Sequence, residues 1–413
     1  MKKINSIWLY LEPYTFISED LEYYLFYNTN KKKGFSFKKE KSIETIVQSL
    51  QNIDSLYSLR IPIEDLVNDN LLSLIRKIQQ SECGDLLEGD LDKPIIMPPF
   101  LNLQGSVERL KEHEVSISDN ILKYLHEVAI YVNGNCLLNC KSCSKGFKQN
   151  LCCTKSTETL DITLLKKFLF SISYTDASIS LLGGNIFQYV NLKDVIYILL
   201  KMNLKTTIVT DWHNVTKDLE ILNLLSQKLL RLQIVVKDIY DINRIVFIAK
   251  NINQYNINQV WEIHVTSLEE YEAAEMLIEQ LQDFTKVTIK PFYNGINKSF
   301  FEKYIFIDTE ELESIELTRQ NVFALQSLNT NDFGKITILS DGNIYANVNN
   351  KPIGTISDSI KNILGKELES KDSWRLTRYE LEPCSKCRFK LICPSLSNYE
   401  RVMKKNNLCY IFK

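Results

Sequence analysis

The chain has 413 residues, 45% hydrophobic and 24% charged, the balance of a folded protein long enough for two or three domains. Lys and Arg total 49 against 51 Asp and Glu, a net charge of −2, which gives no electrostatic case for a nucleic-acid or membrane-surface partner. With 13 Gly and 9 Pro it is no repeat, collagen-like or linker-dominated chain, and no run of about 18 apolar residues offers a membrane span.

The start, Met1-Lys2-Lys3-Ile4-Asn5, leads into an aromatic, acidic stretch rather than an apolar signal core, so a cytoplasmic, thiol-reducing setting is expected. Residues 1–92 read as a small α+β unit. Ile7-Trp8-Leu9-Tyr10-Leu11 and Tyr23-Tyr24-Leu25-Phe26-Tyr27 are aromatic-rich strand candidates, and Phe35-Ser36-Phe37 closes a hairpin with the second. After Ser42, a capping residue, Ile43, Ile46, Val47 and Leu50 recur at helical spacing. Two further short helices are expected around Ile63, Leu66 and Val67 and around Leu71, Leu72, Leu74, Ile75 and Ile78. Strands followed by three helices make a winged-helix-like pattern. A bridging segment, 93–125, carries Pro94, Pro98 and Pro99.

Over 126–298 strands and amphipathic helices alternate. The strand candidates are 128–132, 178–182, 206–210, 232–236, 262–266 and 287–290; the helices between them are 160–172, 192–201, 218–228, 242–252 and 268–281. Right-handed crossovers between neighbours imply a parallel sheet. Six units are too few for a closed eight-fold barrel, so a partial (β/α)6 barrel is the expected α/β fold. Residues 299–413 are mixed: a strand at Ile336–Leu339, a tight turn at Asp341-Gly342, a second strand to Tyr345, and a helix over 358–368. The last thirty residues show little apolar periodicity and are expected to be held by something other than a packed core.

The ten cysteines are clustered, which an apolar filler role does not require. Cys136, Cys140 and Cys143 form C-x3-C-x2-C directly after the first strand of the alternating region; Cys152-Cys153 follow; Cys384, Cys387, Cys393 and Cys409 close the chain; Cys83 stands alone. In a reducing compartment such spacing indicates metal or cluster ligation. Three thiolates on one loop suit three corners of a cubane iron–sulfur cluster with one iron open, and the competing reading is a zinc site completed by Cys152 or Cys153. The tail quartet, four thiolates without histidine, suits zinc or a fully ligated [4Fe–4S] cluster, and its chemistry alone does not choose. Cys152-Cys153 fit a redox couple, a transient ligand or packing beneath the loop.

Leu181-Leu182-Gly183-Gly184-Asn185 ends the second strand at the carboxyl edge, where a parallel sheet binds ligands. With the cysteine trio this resembles the radical S-adenosylmethionine (SAM) superfamily. The resemblance implies that the open iron chelates SAM and that Gly183, Gly184 and Asn185 contact it, Asn185 standing where the family has an acidic residue. Ser142 stands where an aromatic is common. With the tail quartet, the chain resembles the SPASM subgroup of peptide maturases over about residues 126–413. Its tail, 391–409, looks like subsets from Bacteroidales-type gene systems named for glycine-glycine leaders or an ATP-grasp partner.

That resemblance implies a radical SAM barrel, a SPASM-like auxiliary-cluster domain over 299–413, and modification of a ribosomally made precursor peptide by cross-link, thioether or epimerisation. Asn347 and Ser397 occupy the places of two inner-cluster cysteines, so one auxiliary [4Fe–4S] cluster is expected. Residues 1–92 resemble a leader-recognition domain that adds the leader as an edge strand. An electron donor such as a flavodoxin or ferredoxin is implied as a partner. The alternatives are a degenerate leader-binding protein and a zinc-stabilised interaction protein. Asp211 and His213 are candidates for facing the cavity, or for solvating a loop.

Overall fold

A computed structural model describes residues 5–99, 120–138, 140 and 143–412. His113, Ser142 and most of the bridging segment 93–125 lie outside the described residues. Among the described residues no helix is long and apolar enough to cross a membrane.

The amino-terminal part holds two antiparallel three-stranded sheets. One has the order β5-β1-β6 (Ser58–Pro62, Ser6–Leu11, Gly84–Glu88), the other β2-β3-β4 (Thr15–Glu19, Tyr23–Asn28, Lys33–Lys38). The expected hairpin is β3–β4, with Phe26 opposite Phe35 and their rings stacked at 5.1 Å. The helix Lys41–Gln51 buries Ile43, Val47 and Leu50 as its spacing predicts. Its N-cap is Glu40, and Ser42 lies inside the first turn. The segment Ile63–Val67 is a 3-10 turn rather than a third α-helix, because Pro62 and Asn68 bound it within five residues. Strands β2, β5 and β6 escaped the sequence reading; β5, a short strand with a charged Arg60, lies between helices and lacks a β-branched run.

The central element is a nine-stranded mixed sheet of order β12-β11-β10-β9-β8-β7-β13-β14-β15. Its first six strands, Glu127–Asn133 (β7), Ser178–Gly183 (β8), Thr206–Asp211 (β9), Leu230–Val236 (β10), Gln259–Val265 (β11) and Lys286–Pro291 (β12), are parallel and stand in strict chain order. Right-handed crossovers between strands in unbroken order place every helix on the same face. The core agrees: residues from helices Ile162–Ser171, Leu192–Lys201, Leu219–Leu225, Ile242–Asn253 and Leu268–Leu281 share one cluster with Ile130, Ile179, Leu181, Ile208, Ile234 and Ile263.

The opposite face is different in kind. Successive strand side chains alternate, so Leu232, Ile234 and Val236 enter the helix-covered core while Gln233, Val235 and Lys237 face away; Trp261 and Ile263 do the same against Glu262 and His264. Parallel sheets are normally apolar on both faces. On this one, Tyr131, Leu182, Val209 and Val235 make an apolar cluster, while buried Asp211, Glu262 and His264 make the rest polar.

Lys335–Ile338 (β13) pairs parallel to β7, and Asn343–Tyr345 (β14) and Gly354–Thr355 (β15) continue antiparallel. The turn between β13 and β14 contains Gly342 at φ 84°, a conformation glycine adopts without penalty. The tail departs from expectation. Phe389 and Ile392 are fully buried in a cluster with Phe16, Leu25, Tyr27, Leu312 and Val322. A packed core does hold it, supplied by the β2–β3 face. The sequence hides this because Phe389, Leu391 and Ile392 lie in and beside one 3-10 turn, too short to show a period.

Candidate functional site

The loop leaving β7 carries the cysteine trio at the carboxyl edge of the sheet. Cys136, Cys140 and Cys143 are free and partly exposed, and Cys143 opens the short helix Cys143–Gly146. Two glycines bind this loop to its neighbour strand. A Cβ on Gly183 would lie 2.0 Å from Asn133 Oδ1, and one on Gly184 would lie 2.3 Å from the Asn135 carbonyl oxygen. Freed of side chains, Gly184 N donates to Asn133 O at 3.0 Å and Asn185 N to Asn135 O at 2.5 Å. The close approach that Gly183 and Gly184 permit is therefore to the backbone leading into Cys136.

Asn185 extends the connection. Its amide donates to Asn214 Oδ1 at 3.4 Å, and Asn214 Nδ2 lies 3.8 Å from Cys136 Sγ. Asn133 Oδ1, beside Gly183, is buried and has no hydrogen-bond partner among the described residues. On its far side the loop crosses to the end of β12: Lys145 Nζ donates to Asn294 O at 2.8 Å, and Gln149 exchanges hydrogen bonds with the Tyr293 backbone at 2.8 and 2.9 Å. The segment after the first parallel strand thus ties to the segment after the sixth, across the mouth of the curled sheet.

Below lies a cavity of about 610 Å³ lined by Cys140, Lys145, Lys237, Asp238, His264 and Phe292, among others. The Cys143 thiol, by hydrogen bonding to it, holds Cys140 below its ordinary value. Cys152 and Cys153 are buried and unbridged. Cys152 packs with Tyr131, Leu182, Val209 and Val235 on the inner face, and burial pushes its thiol up to about 12. Cys153 accepts from Lys237 Nζ at 2.8 Å; its contact with Cys143, and then burial, raise its thiol strongly. Asp211 is buried at the end of β9, 2.8 Å from His213 Nδ1, and that bond raises His213. His213 lines a separate groove with Trp212 and Arg244.

The second group of thiols surrounds a cavity of about 220 Å³, which Cys384, Cys387, Cys393 and Cys409 all line with Arg378 and Phe389. Arg378 Nη1 lies 3.8 Å from Cys384 Sγ and 2.7 Å from Glu400 Oε1. The Phe389 amide donates to Cys387 Sγ at 3.4 Å. Burial lifts Cys387 to about 11 and Cys393 to about 12, so thiolates here require a cation or cluster beside them. Among the described residues no three His, Cys, Asp or Glu side chains converge closely enough to hold a single metal ion. Asn347 is buried, with Nδ2 donating to Asp332 Oδ1 and Asn398 Oδ1, each at 2.8 Å, and Ser397 caps the helix Asn398–Met403.

The sequence reading missed Asn214, Lys237, Glu262, Lys290 and Arg378. For the strand residues a signal existed: polar Glu262 and His264 interleaved with Trp261 and Ile263, the period-2 mark of a polar lining.

No family model matches the chain, and no curated protein matches it. Among solved structures it is similar to SuiB of Streptococcus suis. SuiB bound to precursor peptide SuiA is 15% identical, with 97% of each chain covered and a TM-score of 0.49. SuiB bound to S-adenosylmethionine is 15% identical, with 95% of this chain and 97% of that chain covered, at TM-score 0.48. A structure of anSMEcpe with bound AdoMet and Cp18Cys peptide is 12% identical, covering 65% of this chain and 87% of that chain, at TM-score 0.44. At such identities and scores these likenesses carry no weight for function, which rests on this chain's own residues.

Proposed function

We propose that this chain is a radical SAM enzyme that modifies a ribosomally made peptide. The observation that carries the reading is the trio of free thiols at the carboxyl edge of the first of six parallel strands in unbroken order, above a cavity of about 610 Å³. In it, Cys136, Cys140 and Cys143 hold a [4Fe–4S] cluster with one open iron, and Gly183, Gly184 and Asn185 border the SAM site. The donor set fits: three thiols on one loop, committed to no disulfide, with Asn214 beside Cys136. The orphaned Asn133 acceptor next to Gly183 is what a ligand amino group would satisfy. The chemistry that such a cluster and SAM supply when bound is hydrogen-atom abstraction by a 5′-deoxyadenosyl radical, which acid–base side chains do not provide.

Cys384, Cys387, Cys393 and Cys409 hold the auxiliary cluster of a domain spanning 299–413. The thiols line one void, and Arg378 supports their charge. A single auxiliary cluster is favoured because Asn347 is engaged with the side chains of Asp332 and Asn398, and Ser397 with the first turn of the helix it caps. Residues 1–92 recognise the leader, which adds to an edge of the β5-β1-β6 sheet, whose outer strands pair on one side only among the described residues. The core peptide then enters the cavity, bounded by Lys237, Asp238 and His264.

The test is anaerobic reconstitution. The expected protein is brown, with broad visible absorption, and forms 5′-deoxyadenosine from SAM and dithionite. A colourless, zinc-containing protein that leaves SAM intact would overturn the reading.

A further inference from the structure

On the inner face of the sheet is a buried group outside both thiol clusters. Glu262 and His264, two residues apart on β11, share one side of the strand by its pleat. His264 Nε2 lies 2.8 Å from Glu262 Oε1, with side chains only 3% and 7% exposed. The other carboxylate oxygen, Oε2, is 2.7 Å from Lys290 Nζ on β12 and 3.4 Å from Gln233 Nε2 on β10. The Phe292 ring lies nearly parallel to the imidazole, at 7° and 6.2 Å between centroids. Three adjacent strands and the segment after β12 therefore hold one histidine in one orientation.

That orientation has a chemical consequence. Glu262, paired with Lys290, is an ionised acceptor: burial alone would raise its carboxyl, but His264 and Lys290 hold it below the usual range. A carboxylate only accepts, so the proton between the two side chains sits on His264 Nε2. In the neutral imidazole Nδ1 then bears the lone pair. No protein group hydrogen-bonds to Nδ1 among the described residues, and His264 lines the 610 Å³ cavity together with Cys140. A carboxylate that fixes a histidine tautomer and leaves the second ring nitrogen free of protein partners is the working arrangement of a general base.

We infer that His264 is a catalytic proton acceptor for a peptide side chain bearing a protic heteroatom, a thiol or phenol, with Glu262 and Lys290 as positioning residues. This rests on the peptide-modifying reading above and narrows it toward bond formation at sulfur or oxygen. In the step, the X–H proton passes to Nδ1 and its electron pair stays on X. The imidazolium so formed remains bonded to Glu262 through Nε2.

The test uses reconstituted holoenzyme and diethyl pyrocarbonate, which acylates an unprotonated imidazole nitrogen, with modification at each histidine followed by peptide mass spectrometry. His264 is expected to react, and Glu262→Gln to slow its reaction by roughly tenfold or more, because an amide no longer dictates the tautomer. Acetyl-Gly-Cys-Gly-amide and acetyl-Gly-Tyr-Gly-amide are expected to protect His264, whereas acetyl-Gly-Ala-Gly-amide is not. If Glu262→Gln leaves Lys290 uncompensated and fails to fold, the double variant Glu262→Gln/Lys290→Met removes both charges and gives the same readout. An unreactive His264, an unchanged rate in the variant, or equal protection by the alanine peptide overturns the assignment. The labelling consumes no SAM, so its failure alongside intact 5′-deoxyadenosine formation by the wild-type enzyme sinks this inference alone.

Discussion

Arg388 Nη1 sits 2.6 Å from Asp20 Oδ2, joining side chains 368 residues apart that are 10% and 12% exposed. The same guanidinium donates to Ser36 Oγ at 2.9 Å and lies over the rings of Tyr23 and Phe389. Arg388 directly follows Cys387, so the amino-terminal sheet grips the turn that carries a thiol of the tail quartet.

Asp20→Ala is expected to destabilise the protein by about 3–5 kcal/mol, since removing one partner leaves a buried, unpaired guanidinium. Urea unfolding at neutral pH measures it. Burial alone would raise the Asp20 carboxyl, but Arg388 and the Glu22 and Tyr23 amides outweigh it and hold the group below its ordinary value. For a depressed carboxyl the contribution is complete above about pH 4 and fades as pH falls through the lowered folded value. Wild type and variant should therefore converge in stability in strong acid.

Iron content separates the two thiol groups. The wild-type protein should hold about eight irons per chain after anaerobic reconstitution. Replacing Cys136, Cys140 and Cys143 by Ala should leave about four and abolish 5′-deoxyadenosine formation. Replacing the tail quartet should also leave about four, now with SAM cleavage retained in part. About twelve in the wild type would show a further cluster.

Gly184→Ala places a methyl 2.3 Å from the Asn135 carbonyl oxygen and 2.5 Å from that of Gly134, backbone atoms that cannot swing aside. A loss of about 1–3 kcal/mol is expected from the overpacking, together with reduced iron at the trio. Thermal denaturation and iron analysis of the purified variant check both.

Glu367 is 2% exposed and accepts from the Trp374 amide at 2.9 Å. Burial raises its carboxyl to about 7. A carboxyl titrating higher in the folded than in the unfolded state costs stability as pH rises through that window, here from about 4.5 to 7 and by roughly 3 kcal/mol. Glu367→Gln keeps the acceptor and removes the charge. It should stabilise the protein at pH 8 and change little at pH 4, as urea midpoints would report.

Sequence patterning reached furthest where periodicity is strongest. The helices Leu192–Lys201 and Leu268–Leu281 have their expected bounds, and all six parallel strands lie within two or three residues of theirs. Between 298 and 327, and after Ser397, helices were missed because each is short and partly polar. Capping boxes at Asp308–Glu311, Thr318–Asn321 and Ser397–Glu400 were the available signals. The thiol groups were legible because cysteine chemistry is written in local spacing. The Glu262–His264–Lys290 group was legible only in part: alternation with Trp261 and Ile263 marks Glu262 and His264, but only strand register brings Lys290 to them. The docking of Phe389 against Phe16 was invisible, as no local pattern encodes a contact across so much of the chain.

Strand β13 lies against β7, so the strand that launches the cysteine loop is flanked on both sides and its backbone edge is covered by the last third of the chain. A fragment ending before Lys335 would bare that edge at Glu127–Ile130. Such a fragment is expected to expose backbone donors and acceptors next to the strand that leads into Cys136. Engineering that swaps its two ends between relatives has to preserve this seam.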